Sequence, residues 1–263
     1  MRDQLEEAQK HIDDGYGRAQ HLNRVELPKR FYKSVEIAEE SDGFWVTLDG
    51  RQVKTPGHKI SVVVQSLEIA QAMAEEWAAQ QEFINPATMP MVRLINSAVE
   101  SGEAMAPAFR AEIGKFAAND LLLYRADTPQ ELVAEQEKVW DGALVKLARH
   151  FDVAFQPTIG IIHQEQPQAT LAKLDAALEG QGLHVLTALV SVTGLTGSGL
   201  LAIALLHQLL TPEEVWAAAH VDEDHQIRLW GEDEEAMERR AKRKHEFDIA
   251  VSVVQFLTSR VNR

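Results

Sequence analysis

The stretch that decides the fold of the first third of the chain is Gly43-Phe-Trp-Val-Thr-Leu-Asp-Gly50. Within it, Phe44, Val46 and Leu48 recur at every second position, the period at which side chains return to the same face of a β-strand. A glycine stands at each end, where a turn requires a residue that tolerates positive φ. The stretch therefore predicts a strand with a tight turn on either side.

The same two-residue period continues before and after this strand. Val35 and Ile37 precede it, and the apolar positions of residues 60–64 follow it. Between them, residues 55–57 read Thr-Pro-Gly, a sequence typical of turns because proline presets φ and glycine accepts positive φ. We therefore expect an antiparallel meander of about four strands.

A helix over about residues 66–83 is predicted to follow the meander. Ser66 is a favoured N-cap residue, and Ile69, Met73 and Trp77 recur every four positions, so that they share one helix face. Trp77 is accordingly expected to belong to a buried apolar stripe.

The β pattern ends where Pro86 and Pro90 interrupt regular structure, and we place a domain boundary there. Helical signals dominate afterwards, including two good capping boxes that begin at Thr128 and Thr211. The predicted helices span residues 92–102, 107–124, 129–150, 168–180, 183–193, 198–209, 212–220 and about 232 to 258, with a short extended piece at 158–163.

The predicted fold class is therefore α+β. A small N-terminal β-rich domain, an antiparallel meander with one helix, is expected at residues 29–90, and a larger, mostly α-helical domain at 91–263. Residues 1–28 are strongly polar and are expected to form an N-terminal arm.

Composition limits the kind of partner and the compartment. The chain has 40 acidic and 26 basic residues and a formal charge of −14, which opposes nucleic acid and anionic lipid. Without cysteine, it has no disulfides, thiolate metal sites or cysteine nucleophiles. The start is acidic and lacks the apolar core of a secretory signal. We expect a bacterial cytoplasm, with the mitochondrial matrix as the second choice.

One segment has to be tested as a membrane span. Residues 185–206 carry no formal charge and are long enough to cross a bilayer. However, glycine and hydroxyl residues at 193–199 interrupt the run. The pattern therefore favours two short buried helices joined by a turn, without membrane insertion.

The densest cluster of potentially chemical side chains is His220-Val-Asp-Glu-Asp-His225. Imidazole and carboxylate bind divalent metals, so a metal-dependent hydrolase built on His220, Asp222, Glu223 and His225 is one alternative. The spacing matches no established ligand motif such as His-Glu-x-x-His. A solvated or partner-facing acidic patch is the favoured interpretation.

Other candidate motifs fail for specific reasons. Residues 194–199 have the glycines of a phosphate loop but not its lysine, so a tight turn between helices is expected. The basic run at 239–244 follows acids at 232–238, an order that suits the helix dipole and i,i+4 pairing. The sequence thus predicts no catalytic residue, no cofactor, no metal site and no small-molecule substrate.

A series of short segments, in order from about residue 30 to about residue 235, resembles one known family. This is the ATP-twelve family of yeast and its bacterial relatives, the F-type ATP synthase assembly chaperones that attend the α subunit of the catalytic head. The segments are Arg30-Phe31-Tyr32-Lys33, Leu48-Asp49-Gly50-Arg51, Lys54-Thr55-Pro56, Glu75-Glu76-Trp77 with Gln80, Thr88-Met89-Pro90, Asn119-Asp120-Leu121, Tyr124-Arg125-Ala126, Ser191-Val-Thr193-Gly194, Asp222-Glu223-Asp224 with Gln226, and Trp230-Gly231-Glu232-Asp233.

The resemblance implies a protein without catalytic residues or cofactor. Such a protein binds the free α subunit of the ATP synthase and keeps it soluble until it joins the β subunit. The resemblance also points to Glu223, within Asp222-Glu223-Asp224, as important for function, and to Trp77 as a structural position. We expect Glu223, with Asp222 and Asp224, to face a basic group of the partner, or Glu223 to close a helix end. A protein-binding adaptor with another client shares these sequence features and stays open as an alternative.

Overall fold

A small antiparallel sheet opens the structure, a computed structural model that describes residues 27–258. Its strands are β1 (Val35–Glu40), β2 (Gly43–Leu48) and β3 (Arg51–Gln52), in the order β1-β2-β3. The predicted polar arm, residues 1–28, lies almost entirely outside the described residues and stays a prediction.

The β1–β2 hairpin has the expected register, with Val35 opposite Leu48. Its turn requires a glycine at Gly43, because φ there is +131° and an added Cβ would lie 2.6 Å from the Val64 carbonyl oxygen. The prediction of a fourth strand at residues 60–64 is wrong. This segment makes only isolated bridges, because Ser61 pairs with Lys54, which follows β3, while Val64 pairs with Phe44 in β2.

Helices make up most of the remaining described chain. They are α1 (Leu67–Ala78), α2 (Pro90–Ser101), α3 (Ala106–Ala118), α4 (Gln130–Gln136), α5 (Gly142–Phe151), α6 (Gln168–Ala176), α7 (Leu183–Thr196), α8 (Gly199–Leu206), α9 (Pro212–Ala219), α10 (Val221–Trp230) and α11 (Glu234–Thr258). A short parallel pair, β4 (Tyr124–Arg125) and β5 (Thr158–Ile159), interrupts the helical series. The α+β fold class is confirmed.

Two of the three predicted helix caps are confirmed. Ser66 caps α1 by accepting the amide of Ile69, and Thr211 forms a full capping box with Glu214 at the start of α9. The capping box predicted at Thr128 is wrong. Helix α4 begins only at residue 130, and the Thr128 hydroxyl lies 3.3 Å from Oδ1 of its neighbour Asp127 instead.

Several predicted helix boundaries also change. Helix α3 ends at Ala118, and residues 121–123 form a 3-10 turn. The single helix predicted at 129–150 is α4 and α5 joined by a π-helical segment, Glu137–Asp141. Helix α10 was not predicted, because its acids and histidines hide the apolar period on which helix recognition depends.

The uncharged run at 185–206 forms the centre of the helical region. Every residue of α8 is buried, and α7 packs against α3, α8 and α11. The glycine-containing turn between them is confirmed as a tight junction: an added Cβ at Gly199 would lie 2.3 Å from the Ile113 carbonyl oxygen. Within residues 27–258, no helix is long and apolar enough to cross a membrane.

The buried side chains of sheet and helices belong to one hydrophobic cluster, which extends from Val46 in β2 to Val254 in α11. The division into domains at residues 29–90 and 91–263 therefore stays a prediction. The basic run of α11 is paired as expected, since Arg239 contacts Glu235 and Lys242 contacts Glu238 at i,i+4 spacing.

Candidate partner-binding surface

Helix α10 carries the acidic segment and starts directly after a buried histidine. The His220 ring lies against Trp216, with ring centroids 3.9 Å apart, and its Nδ1 donates to the Trp216 carbonyl oxygen at 2.7 Å. Nδ1 must be the donor because a carbonyl oxygen only accepts. Burial lowers the pKa of His220, so the ring is a neutral anchor for the turn between α9 and α10.

Asp222 ties α10 to α4. Its Oδ1 accepts a hydrogen bond from Nε2 of Gln136 at 2.8 Å. The other end of the same Gln136 amide accepts from the backbone N–H of Ala126 at 2.8 Å. Asp222 is therefore part of a network that joins α10, α4 and the segment after β4, although its side chain is exposed at the surface.

Asp224 ties α10 to the long C-terminal helix. Its Oδ1 lies 2.5 Å from Nη2 of Arg240 in α11, and the arginine side chain is only 16% exposed. A partly desolvated ion pair of this geometry holds two helices in register. Asp224 therefore has a partner within the fold and faces α11.

Glu223 differs from both neighbours. Its side chain is 39% exposed, and its ionic contact within the described part of the chain is Nε2 of His220 at 3.8 Å, beyond hydrogen-bond distance. Since His220 is neutral when its pKa is lowered, this contact holds little charge. Glu223 is thus the acid of the three that is free to meet a basic group of a partner.

All three acids lie in the first turn of α10. Negative side chains are favoured there by the partial positive charge of the helix N-terminus. The position of the three acids therefore suits this end of the helix, whatever else they contact.

The residues of the metal-site hypothesis do not converge on one point. His220 Nδ1 is engaged by a carbonyl oxygen, Asp222 turns to Gln136, and Nδ1 of His225 lies 3.9 Å from a carboxylate oxygen of Glu135. Among residues 27–258 there is no group of three or more histidine, aspartate and glutamate side chains placed to hold a metal ion. The hydrolase alternative therefore has no geometry to support it.

Trp77 lies far along the chain from α10, in the last turn of α1. It is half-buried rather than fully buried, in contrast to Ile69 and Met73 on the same helix. The Tyr32 ring packs edge-on against it at 5.7 Å, and the Tyr32 hydroxyl donates to the Trp77 carbonyl oxygen at 2.7 Å. Its structural role stays a prediction, which these contacts with the segment before β1 support.

The sequence reasoning missed the most exposed aromatic side chain near the acids. Trp230, the last residue of α10, is 85% exposed, and Leu229 beside it is 56% exposed. Composition gives no signal for this, because a tryptophan at a helix end is usually buried in part. Only the placement of α10 on the surface reveals it.

Taken together, an α+β scaffold presents a helix whose acids either fix the fold or face solvent, next to exposed apolar side chains. Exposed apolar side chains beside acids suit contact with another polypeptide. Residues 29–148 match the family model described as ATP12 chaperone protein. A curated relative from Schizosaccharomyces pombe, "Protein atp12, mitochondrial", is 23% identical over 221 residues, which are 80% of this chain and 76% of the relative.

Two solved structures share the fold along most of the chain. Atp12 from Paracoccus denitrificans is 34% identical with a TM-score of 0.79, over 87% of this chain and 98% of that protein. A protein from Agrobacterium tumefaciens described as a candidate chaperone is 40% identical with a TM-score of 0.82, over 88% of this chain and 87% of that protein. The chain belongs to the ATP12 chaperone family, and the family resemblance seen in the sequence is confirmed.

Proposed function

We propose that this chain is an assembly chaperone of the F-type ATP synthase. It binds the free α subunit of the catalytic head and keeps it soluble until the β subunit takes its place. The observation that carries the proposal is membership of the ATP12 chaperone family, with a likeness to Atp12 of P. denitrificans over 98% of that protein. The choice of the α subunit rests on the segments that resemble the α-subunit chaperones.

The physical basis is the exposed interface of an unassembled subunit. A subunit made for a large obligate interface exposes more apolar area than a stable monomer tolerates, and it aggregates unless a partner covers that area. A chaperone of this kind needs no catalytic step, because the β subunit displaces it by forming the tighter or longer-lived contact.

Glu223 is the proposed point of electrostatic contact, supported on either side by Asp222 and Asp224. The latter two are held by Gln136 and Arg240, so they fix the orientation of α10 while Glu223 remains partly exposed. An exposed acid facing a basic group of the client contributes to specificity and to the association rate more than to raw affinity.

The proposed location is the bacterial cytoplasm, since both matched structures come from bacteria. The mitochondrial matrix is the second choice, because the name of the S. pombe relative places that protein in mitochondria.

The test is size-exclusion chromatography with light scattering on the purified chain, mixed separately with refolded α and β subunits of a cognate ATP synthase. A one-to-one complex with α, and none with β, is the expected result. A complex with β alone, or with neither subunit, would contradict the proposed client and require an unbiased search for another one.

A further inference from the structure

We propose that Trp230 is the apolar anchor of the client interface, and that its site on the client is an apolar pocket bordered by lysine or arginine side chains. This inference rests on the proposed function and adds to it the residue that supplies the contact and the chemistry of the surface that receives it.

Trp230 shares a face of α10 with Glu223. Glu223 and Trp230 are seven residues apart on α10, which is two helical turns, so both side chains project from the same face. Along the helix axis they are about 10 Å apart. A client that meets the exposed acid at one end of this face therefore also covers the tryptophan at the other end.

The Trp230 side chain is open to solvent. Trp230 is 85% exposed and its neighbour Leu229 is 56% exposed. Tryptophan offers a large apolar surface with few rotatable bonds, which is why it dominates the energetic centres of protein interfaces. Exposure alone does not select Trp230, because Ile161 is 95% exposed. Trp230 is selected because it shares a helix face with Glu223.

Acidic residues precede and follow Trp230 in the chain. The residues after the helix, Glu232 to Glu235, are all exposed, and Asp233 caps α11 by accepting the Ala236 amide at 2.7 Å. Trp230 thus lies between this acidic segment and Glu223. An apolar side chain with acids on both sides is complementary to an apolar pocket with basic residues at its border.

The same charges exclude other occupants. Acids around the tryptophan repel the phosphates of nucleic acid and of anionic lipid. A small molecule requires a concave site that covers most of its surface, whereas a side chain exposed to 85% projects outward. A polypeptide surface is the occupant that fits.

The test uses the full chain with the substitutions Trp230→Ala and Trp230→Phe, and Ile161→Ala as the matched control on another exposed apolar residue. Binding to the refolded α subunit is measured by equilibrium titration, and folding by the melting temperature. We expect Trp230→Ala to weaken binding at least about tenfold, Trp230→Phe to keep most of the affinity, and Ile161→Ala to change it less than about twofold. All variants should melt like the wild type.

The possible outcomes test the role of Trp230 separately from the identity of the client. If the wild type binds α and Trp230→Ala binds equally well, the anchor is wrong while the proposed function stands. If Trp230→Ala and Ile161→Ala weaken binding equally, capture by apolar surface in general replaces the anchor. If the wild type itself forms no complex with α, both proposals fail.

The basic border is tested in the same titrations. Complementary charges across an interface are screened by salt, so the affinity of the wild type should fall as sodium chloride is raised from 50 to about 300 mM. An affinity that does not change with salt would contradict the proposed lysine or arginine side chains at the border of the pocket.

Discussion

The Ser198 hydroxyl lies 2.8 Å from both carboxylate oxygens of Asp120, although 78 positions separate the two residues. The same carboxylate accepts the backbone amides of Leu122 at 3.1 Å and Leu200 at 2.9 Å. One buried acid therefore joins the chain after α3 to the start of α8. Because it is completely buried, desolvation raises the pKa of Asp120 to about 7.

This raised pKa predicts a pH dependence of stability. The ordinary pKa of the group is 3.8, so between about pH 4 and pH 7 the folded state binds more protons at Asp120 than the unfolded state does. The contribution of protonated Asp120 to the free energy of unfolding is fully present below about pH 4. It is lost as the pH rises to about 7, which lowers the free energy of unfolding by up to about 4 kcal/mol.

The measurement compares the wild type with Asp120→Asn by urea unfolding at several pH values between 4.5 and 8. Asparagine does not titrate, so the stability of the wild type relative to the variant should decline up to about pH 7 and then stay constant. Two curves that run parallel over this range would show that Asp120 does not titrate in it.

The junction between α7 and α8 predicts opposite effects for two glycines. Gly199→Ala should lower the free energy of unfolding by about 1–3 kcal/mol, because the new Cβ would meet backbone atoms of Ile113 and Ala117. Gly194→Ala, inside α7 with open space around the Cβ position, should raise it by about 0.5–1 kcal/mol through helix propensity. Urea unfolding of both variants measures these changes. A Gly199→Ala protein as stable as the wild type would mean that α8 and α3 do not approach so closely.

Alanine substitutions of two tryptophans should differ in their effect on stability. Trp77→Ala removes a ring that packs against Tyr32 and the core, and we expect a loss of about 3 kcal/mol. Trp230→Ala, the same substitution at an exposed site, should change stability by less than about 0.5 kcal/mol. Thermal unfolding of the two variants side by side is the measurement, and equal melting temperatures would contradict the structural role of Trp77.

Lysine substitutions of two neighbouring acids should differ in their effects on binding and stability. Glu223→Lys should weaken binding to the α subunit and destabilise the fold only by about 0.3–1 kcal/mol, because Glu223 makes no close ion pair in the fold and loses only its favourable charge at the helix N-terminus. Asp224→Lys removes the pair with Arg240 and sets two cations side by side, so we expect about 1 kcal/mol of destabilisation.

Binding is measured on the folded fraction of each variant. If Glu223→Lys melts as early as Trp77→Ala and the folded fraction still binds α, Glu223 is a helix-end residue and not a contact for the client.

The parts of the fold that sequence predicted well are those set by local chemistry. The period of Phe44, Val46 and Leu48 gave β2, and the Thr211–Glu214 capping box gave the start of α9, because each depends on residues a few positions apart. The prediction of a fourth strand failed because residues 60–64 divide their pairing between Phe44 in β2 and Lys54, which follows β3. Only the folded chain determines such pairing.

The candidate site was predicted in part for the same reason. The acidic cluster was visible in the sequence, but three acids in a row look equivalent there. Their difference comes from α4 and α11, which bring Gln136 to Asp222 and Arg240 to Asp224 and leave Glu223 with only the 3.8 Å contact to His220. The link from Asp120 to Ser198 was likewise invisible, since no local pattern relates residues so far apart.

The apolar helices α7 and α8 have a consequence for the synthesis of the protein. Helix α7 is covered by α11, which follows it in the chain. During translation at about 5–20 residues per second, the pair therefore leaves the ribosome a few seconds before its cover is complete. A member of a chaperone family thus passes through a stage in which its own central apolar helices are still incompletely covered.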